Sequence, residues 1–207
     1  MQDLIGSIAT AWAGTSQLEI LSVTFGLLYV VLAARESIWC WPAAFIGTGT
    51  AVFLFWDASL VMESALNVYY LVMAVFGWWQ WRAGGVNNSG LTISSWKLRQ
   101  HLIAISLIST LTVVSGYLLS TRTTAALPYV DSFTTWSAVI TTWMVARKIL
   151  QNWLYWIVID LVAMWLFFER GLYLYALLFL LYSLIAVIGH FQWSKKYLRQ
   201  QKSRYAR

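Results

Sequence analysis

The stretch Gly77-Trp78-Trp79-Gln80-Trp81 returns later in the chain as Gly189-His190-Phe191-Gln192-Trp193, with the glycine, the glutamine and the last tryptophan unchanged. At the same offset of 112 residues, residues 19–81 align with residues 131–193 without a gap and with 14 identities. The identities include Arg, Trp, Gly and Gln, so a biased composition does not explain the register. Two similar halves in a membrane chain are typical of a transporter with a central site.

Composition places the chain in a lipid bilayer. Of its 207 residues, 60% are hydrophobic and 11% are charged, whereas soluble domains carry about 25% charged residues. The net charge of +6 does not indicate nucleic acid, because six of the 14 basic residues lie in the last 13 positions. Cys40 is the one cysteine, which excludes an intrachain disulfide and a cysteine-based metal site. The start of the chain lacks a basic segment and is not expected to be a signal peptide.

Seven segments have the length and hydropathy expected of transmembrane helices, which need about 20 mostly apolar residues. They are residues 18–34, 39–56, 60–81, 101–119, 130–146, 152–168 and 172–193. We therefore predict an all-α integral membrane protein with a 3+1+3 arrangement. Its parts are a first three-helix repeat (18–81), a loop plus linker helix (82–129), a second repeat (130–193) and a basic cytoplasmic tail (194–207). Glycine and asparagine between residues 84 and 90 predict a flexible loop.

An offset of four spans is even, so both repeats are predicted to insert in the same orientation, related by an axis along the membrane normal. Twelve basic residues fall on the side of the C-terminus and two, Arg122 and Arg170, on the other. By the positive-inside rule the C-terminus is expected in the cytoplasm and the N-terminus outside.

The sixth span carries a stripe of aromatic and acidic residues at bilayer depth. Trp153, Trp156 and Asp160 share one helical face, and Asn152 lies at its edge. A carboxylate at this depth costs roughly 2.5 kcal/mol or more, so a proton, water or a cationic ligand is expected to compensate. A protonated carboxyl that only packs between helices is the structural alternative.

The third span carries a second stripe, formed by Glu63, Asn67 and Tyr70 at positions i, i+4 and i+7. Tyr70 aligns with Tyr182 in the second repeat, whereas Asp160 aligns with Thr48. Because the halves differ at these polar positions, we expect one asymmetric site. Its predicted substrate-binding residues are Trp153, Trp156, Asp160, Asn152, Glu63, Asn67, Tyr70 and Tyr182.

The remaining tryptophans near span ends are expected to form an interfacial belt, as in many membrane proteins. They are Trp39, Trp41, Trp78, Trp79, Trp81 and Trp193. Indole and phenol rings in the site favour a flat cationic ligand, and carboxylates would neutralise its charge or accept from hydroxyls. The chain carries no phosphate-binding loop, catalytic triad or zinc-protease motif, so neither an enzyme, a cofactor nor a metal site is indicated.

The segments 67–70, 77–81, 146–148, 152–160 and 171–173 together resemble the PnuC family of vitamin transporters. The resemblance covers residues 18–193. It implies parallel halves similar to full-length SWEET sugar transporters, and facilitated diffusion of nicotinamide riboside. It also implies that a cytoplasmic kinase phosphorylates and traps the substrate, in a bacterial inner membrane. Relatives carry thiamine or riboflavin, and the two cationic vitamins suit Asp160 and Glu63 better than neutral riboflavin does.

Three alternatives stay open at this point. A SWEET-like sugar transporter would not need two carboxylates, a proton-coupled carrier would use Asp160 as its proton site, and a non-transporting scaffold would need no internal polar stripe. The sequence leaves the oligomeric state open, a homo-oligomer included.

Overall fold

The structure, a computed structural model, describes residues 16–57, 61–85, 89–123 and 127–205, and these ranges contain seven α-helices. The helices are α1 (Gln17–Ala34), α2 (Cys40–Asp57), α3 (Val61–Ala83), α4 (Leu98–Arg122), α5 (Pro128–Ala146), α6 (Asn152–Glu169) and α7 (Tyr173–Tyr205). The predicted all-α fold is therefore confirmed. Residues 86–88 of the predicted flexible loop lie outside the described residues.

Local chemistry accounts for several helix ends. Ser16 caps α1 by accepting from the Glu19 N–H at 3.2 Å, while the Glu19 carboxylate accepts from the Ser16 N–H at 2.7 Å. Pro128 occupies the first turn of α5, where backbone N–H groups have no partner within the helix, so the lack of an N–H in proline costs no hydrogen bond. Gly171, with φ of 71°, follows α6 in the left-handed conformation that glycine adopts without strain.

Four of the helices in the described ranges are by themselves long and apolar enough to cross a membrane: Gln17–Ala34, Leu98–Arg122, Asn152–Glu169 and Tyr173–Ser203. The other three, α2, α3 and α5, are rich in Trp, Tyr, Thr, Ser or Gly, which lowers their mean hydropathy. Helix α7 extends well past the predicted span, so the region predicted as a basic tail continues the helix as far as Tyr205.

The helices pack in two consecutive groups. Helix α2 packs against α1 and α3, and α6 packs against α5 and α7. The two groups meet through α1 with α7 and through α3 with α5, while α4 packs against α5. The site described below lies where these groups meet.

Equivalent contacts at the offset of 112 residues gather at one end of the bundle, which we call the basic end (residues 35–40, 80–85 and 147–153, and 193–196 of α7). Glu36 and Lys148, one residue beyond the C-caps of α1 and α5, have φ of 59° and 50°. Ser37 N–H donates to Leu32 at 2.9 Å, and Ile149 N–H donates to the Met144 carbonyl at 3.0 Å. Both first helices thus end in the same Schellman-type turn, although neither carries the glycine usual at that position.

Four tryptophans form the core of the basic end. Trp41 packs edge-on against Trp81, with ring centroids 5.4 Å apart, and Trp153 packs edge-on against Trp193 at 5.5 Å. Trp81 and Trp193 meet between the halves at 5.8 Å. Each of these two indoles donates to the first helix of the other half: Trp81 to the Val145 carbonyl at 3.2 Å and Trp193 to Ala33 at 3.0 Å.

This tryptophan cluster corrects the predicted interfacial belt. Trp39 and Trp79 are largely exposed, as a belt requires. Trp41, Trp81 and Trp193 are at most 5% exposed, because each stacks on another indole inside the bundle. Their matching positions in the two halves, rather than their depth along the spans, indicate this role.

The segment before α4 is attached to the second half. Ser94 pairs with Ile149 in a parallel bridge, donating to the Lys148 carbonyl at 2.9 Å and accepting from Leu150 at 2.8 Å. The Gln151 amide donates to Ser95 at 2.6 Å, and Ile93 is buried. The connection from α3 to α4 therefore rests on the α5–α6 turn.

Candidate functional site

A cavity of about 250 Å³ lies between the two groups of helices, with most of its wall in the first half. Eleven lining residues come from α1, α2 and α3, and three come from α5, α6 and α7. The lining residues are Ser22, Val23, Gly26, Tyr29, Trp41, Ala44, Gly47, Thr48, Ala51, Asn67, Tyr70, Thr142, Trp156 and Tyr182.

Small residues open this cavity in the first half. Gly26, Ala44 and Gly47 line it, and their counterparts at the 112-residue offset are Ala138, Trp156 and Ile159. Gly47 also lets α1 and α2 approach closely, and its carbonyl accepts from Ser22 at 3.1 Å. The second half is filled where the first is open, and its Trp156 forms part of the cavity wall.

Aromatic rings from both halves surround the cavity. Tyr70 of α3 and Tyr182 of α7 occupy equivalent positions, and both line it. A Cβ added at Gly26 would lie 3.0 Å from the Tyr182 hydroxyl, so that phenol reaches across to α1. Trp156 and Tyr29 add further faces. Such a wall can stack on an aromatic ligand and attract positive charge.

The two threonines on the wall have already used their hydroxyl protons. Thr48 donates to the Ala44 carbonyl at 2.7 Å and Thr142 to the Ala138 carbonyl at 2.8 Å, so each hydroxyl can offer a ligand only an acceptor. The Asn67 amide donates to the Glu63 carbonyl at 2.9 Å, which fixes its orientation. A ligand with hydroxyl or amide donors would complement this wall.

Asp160 of α6 does not line this cavity. It is 4% exposed, and it lies near Tyr182, which does line the cavity. In the described ranges no Lys, Arg or His lies within ion-pair distance of its carboxylate. The first-half counterpart, Thr48, does reach the cavity wall. A buried carboxylate without a basic partner is strongly stabilised by any cation that enters the neighbouring space.

The structure brings half of the predicted site residues together. Asn67, Tyr70, Trp156 and Tyr182 all line the cavity. The other four, Trp153, Asn152, Glu63 and Asp160, are not on its wall.

Trp153, Asn152 and Glu63 each lie in a different environment outside the cavity. Trp153 is 2% exposed and packs on Trp193 in the tryptophan cluster. Asn152 is fully buried at the start of α6, where its amide donates to the Ile149 carbonyl at 2.7 Å. Glu63 is exposed in the first turn of α3. A shared helical face therefore did not ensure a shared cavity: Trp153 packs into the tryptophan cluster, whereas Trp156, three residues further along α6, lines the cavity.

Sequence reasoning missed several lining residues, chiefly Tyr29, Trp41, Thr48 and Thr142. Two of them could have been found from the repeat. Trp41 aligns with Trp153, and Thr48 aligns with Asp160, both of which were singled out in the second half. Tyr29 and Thr142 carry no such signal, because their counterparts are Thr141 and Val30.

Comparison with known proteins agrees with this architecture. Residues 16–195 match the model of a family described as nicotinamide mononucleotide transporter. The chain is 26% identical to the nicotinamide riboside transporter PnuC of Haemophilus influenzae, over 91% of this chain and 85% of that one. It is 23% identical to PnuC of Escherichia coli, over 86% of this chain and 85% of that one.

Two further similarities concern another ligand and the fold. The chain is 23% identical to the riboflavin/roseoflavin transporter RibM of Streptomyces davaonensis, over 84% of this chain and 83% of that one. It superposes on the crystal structure of the vitamin B3 transporter PnuC with a TM-score of 0.72 and 22% identity, over 96% of this chain and 90% of that one. The chain is thus a multi-pass membrane transporter rather than an enzyme, and it belongs to the nicotinamide mononucleotide transporter family.

Proposed function

We propose that this protein carries a cationic aromatic vitamin, nicotinamide riboside first, through the cavity between its two halves. The observation that carries the proposal is the aromatic cavity, together with the buried Asp160, which lies near the lining residue Tyr182 and has no ion-pair partner among the described residues. Nicotinamide riboside offers a flat cationic ring, an amide and ribose hydroxyls. These groups complement the rings, the Asn67 amide and the threonine oxygens of the wall.

The roles divide between wall and support. Asn67, Tyr70, Trp156 and Tyr182 contact the ligand, and Asp160 balances its charge across a short distance. Trp153 and Asn152 hold the start of α6 in place from the tryptophan cluster, and Glu63 attracts cations at the start of α3. Thiamine is the alternative vitamin, since it is also a permanent aromatic cation. The riboflavin relative carries a neutral ligand, so ligand charge is the property that separates these substrates.

Transport is proposed to be facilitated diffusion, with accumulation supplied by a cytoplasmic kinase that traps the product as a phosphate ester. The matched contacts at the basic end support two parallel repeats joined by α4 in a 3+1+3, SWEET-like order. We place the protein in the bacterial inner membrane with its C-terminus in the cytoplasm, on the basis of the asymmetry of basic residues.

A vitamin panel tests ligand choice directly. Purified protein is heated with nicotinamide riboside, thiamine, riboflavin and a neutral reduced nicotinamide riboside. A ligand present at 100 times its Kd stabilises the folded state by about 2.7 kcal/mol, which is readily seen as a shift in Tm. Stabilisation by a cationic vitamin is expected. Stabilisation by riboflavin alone would contradict the proposed role of Asp160.

A second candidate, a proton-coupled carrier, is favoured by the absence of a basic partner for Asp160 within the described residues. Liposomes without any enzyme separate the two mechanisms. Labelled nicotinamide riboside equilibrates under facilitated diffusion, and it accumulates further when a kinase and ATP are enclosed. Accumulation above the external concentration driven by a pH gradient alone would show that Asp160 serves proton coupling.

A further inference from the structure

The tryptophan cluster adjoins the cavity through one of its members. Trp41 lines the cavity and packs edge-on against Trp81, so the cluster lies on the side of the cavity that faces the basic end. Gly77 and Gly189 lie beneath Trp41 and Trp153, where side chains would collide with the indoles. Beyond Trp41, Trp81 of the first half and Trp193 of the second half are in contact across the junction.

An ion pair joins the two halves in the same layer. Lys148 donates to the Glu36 carboxylate at 2.8 Å, and these residues occupy equivalent positions in the two halves. Their side chains are only 9% and 12% exposed. The Lys148 ammonium also lies 4.6 Å from the centre of the Trp81 ring, so the ion pair and the cluster form one unit.

The backbone at both positions is unusual. Glu36 and Lys148 adopt positive φ without being glycine, a conformation that residues with side chains disfavour. Strain of this kind is commonly retained where it serves a functional arrangement. Here both residues belong to the Schellman-type turns that end α1 and α5, and their side chains meet across the junction. Lys196 of α7 adds a second contact, 3.2 Å from the other Glu36 oxygen.

We propose that Glu36 and Lys148 form the latch of a gate at the basic end, with the Trp81–Trp193 contact as the barrier that it holds shut. This proposal rests on the proposed transport function. The pair joins the halves only while the layer is closed, so separating Glu36 from Lys148 and Trp81 from Trp193 opens the cavity toward this end. When the pair separates, Lys148 is hydrated by the water that enters, and Glu36 stays paired with Lys196. Neither charge is then left buried without a partner.

The native Cys40 reports the state of this layer. It is the chain's one cysteine, is fully buried, and packs in the same core cluster as Trp41 and Trp193. In purified protein its reaction with N-ethylmaleimide is expected to be slow. Lys148→Glu places like charges at the latch, and we expect labelling at least tenfold faster. Removing a nearby positive charge would by itself disfavour the thiolate and slow the reaction, so faster labelling indicates opening.

Two further variants complete the test. The triple reversal Glu36→Lys, Lys148→Glu, Lys196→Glu restores both ion pairs with opposite signs, although not the contact of residue 148 with Trp81 or the bond from residue 196 to the Arg35 carbonyl. It should therefore return Cys40 labelling most of the way to the slow native rate. Asp131→Lys breaks the exposed Asp131–Arg170 pair, whose atoms are 3.3 Å apart within the second half, and should leave labelling unchanged. If Lys148→Glu does not fold, the milder Glu36→Gln serves, with an acceleration of a few fold.

The labelling experiment needs no transported substrate. Slow labelling in folded Lys148→Glu, or equal acceleration in Asp131→Lys, would overturn the latch even if vitamin transport is confirmed. Faster labelling with rescue by the triple reversal supports the latch even if the panel of vitamins identifies no ligand.

Discussion

The two halves share their helix ends and their tryptophan pairs, but they differ where the cavity lies. In the first half, Ala44 and Gly47 leave space on α2; in the second, Trp156 and Ile159 occupy the equivalent positions on α6. Two similar halves thus enclose one cavity, because the side chains at these positions are small in the first half and large in the second. The tryptophan contacts that join the halves are alike on both sides, whereas most of the residues that line the cavity differ from their counterparts.

The largest effect is expected when the small residue at position 44 of the first half is replaced by the tryptophan found at the equivalent position, 156, of the second half. Ala44→Trp introduces an indole into a cavity of about 250 Å³, and we expect vitamin affinity to fall more than 100-fold, over 2.7 kcal/mol. Titration calorimetry on folded protein measures the loss. The matched control is Phe45→Trp, at a neighbouring position that is 46% exposed, which should retain affinity. Unchanged affinity in Ala44→Trp would place the site outside this cavity.

Shortening the tryptophan that the second half contributes is expected to have the next largest effect. Trp156→Ala removes one aromatic face from a cationic ligand, which costs roughly 0.5–2 kcal/mol, or about 2- to 30-fold in affinity. Trp153→Phe, one turn away in the tryptophan cluster, should lower Tm while affinity changes little. If the two variants showed the opposite pattern, the ligand would bind at the cluster.

The halves also differ in charge, since Asp160 in the second half corresponds to Thr48 in the first. Asp160→Asn keeps the shape of the side chain but removes its charge, so the affinity for a cationic vitamin should fall about tenfold, or 1.4 kcal/mol. The affinity for reduced, uncharged nicotinamide riboside should change much less. Equal losses for both ligands, measured on the same preparations, would mean that Asp160 does not balance ligand charge.

The smallest effect on ligand affinity is expected at Gly77 and Gly189, which lie against Trp41 and Trp153. Gly189→Ala places a Cβ 2.8 Å from Trp153, and Gly77→Ala places one still closer to Trp41. Overpacking costs about 1–3 kcal/mol, more than the 0.5–1 kcal/mol that alanine gains over glycine in a helix. Both variants should therefore lower Tm. Because Trp41 lines the cavity and Trp153 does not, Gly77→Ala alone should also weaken binding, by a few fold.

Hydropathy and the repeat predicted the helices well, because an apolar span and a repeated register are properties of local sequence. The predictions were weaker for side chains at helix ends. Trp41, Trp81 and Trp193 lie where an interfacial belt would lie, and only their contacts with one another show that they are core residues.

The candidate site was predictable where helical phase and depth agreed, as for Asn67, Tyr70 and Trp156. The cavity wall was not predictable at the positions where glycine, which has no side chain, leaves the space open. Gly26 and Gly47 define the open half of the cavity, yet in a sequence they are indistinguishable from glycines that serve close helix packing. Which half is open depends on how helices meet, and this information is not local.

The bridge between Ser94 and Ile149 ties α4 and its preceding segment to the second half. We therefore expect the helices to move as two bodies, α4 to α7 on one side and α1 to α3 on the other. When the halves separate, we expect α4 to travel with α5, α6 and α7, and α1, α2 and α3 to supply the relative rotation. Hydrogen exchange would show this division as amides of Ser94 and Leu150 that stay protected when ligand is added, while amides at the α1–α7 junction change.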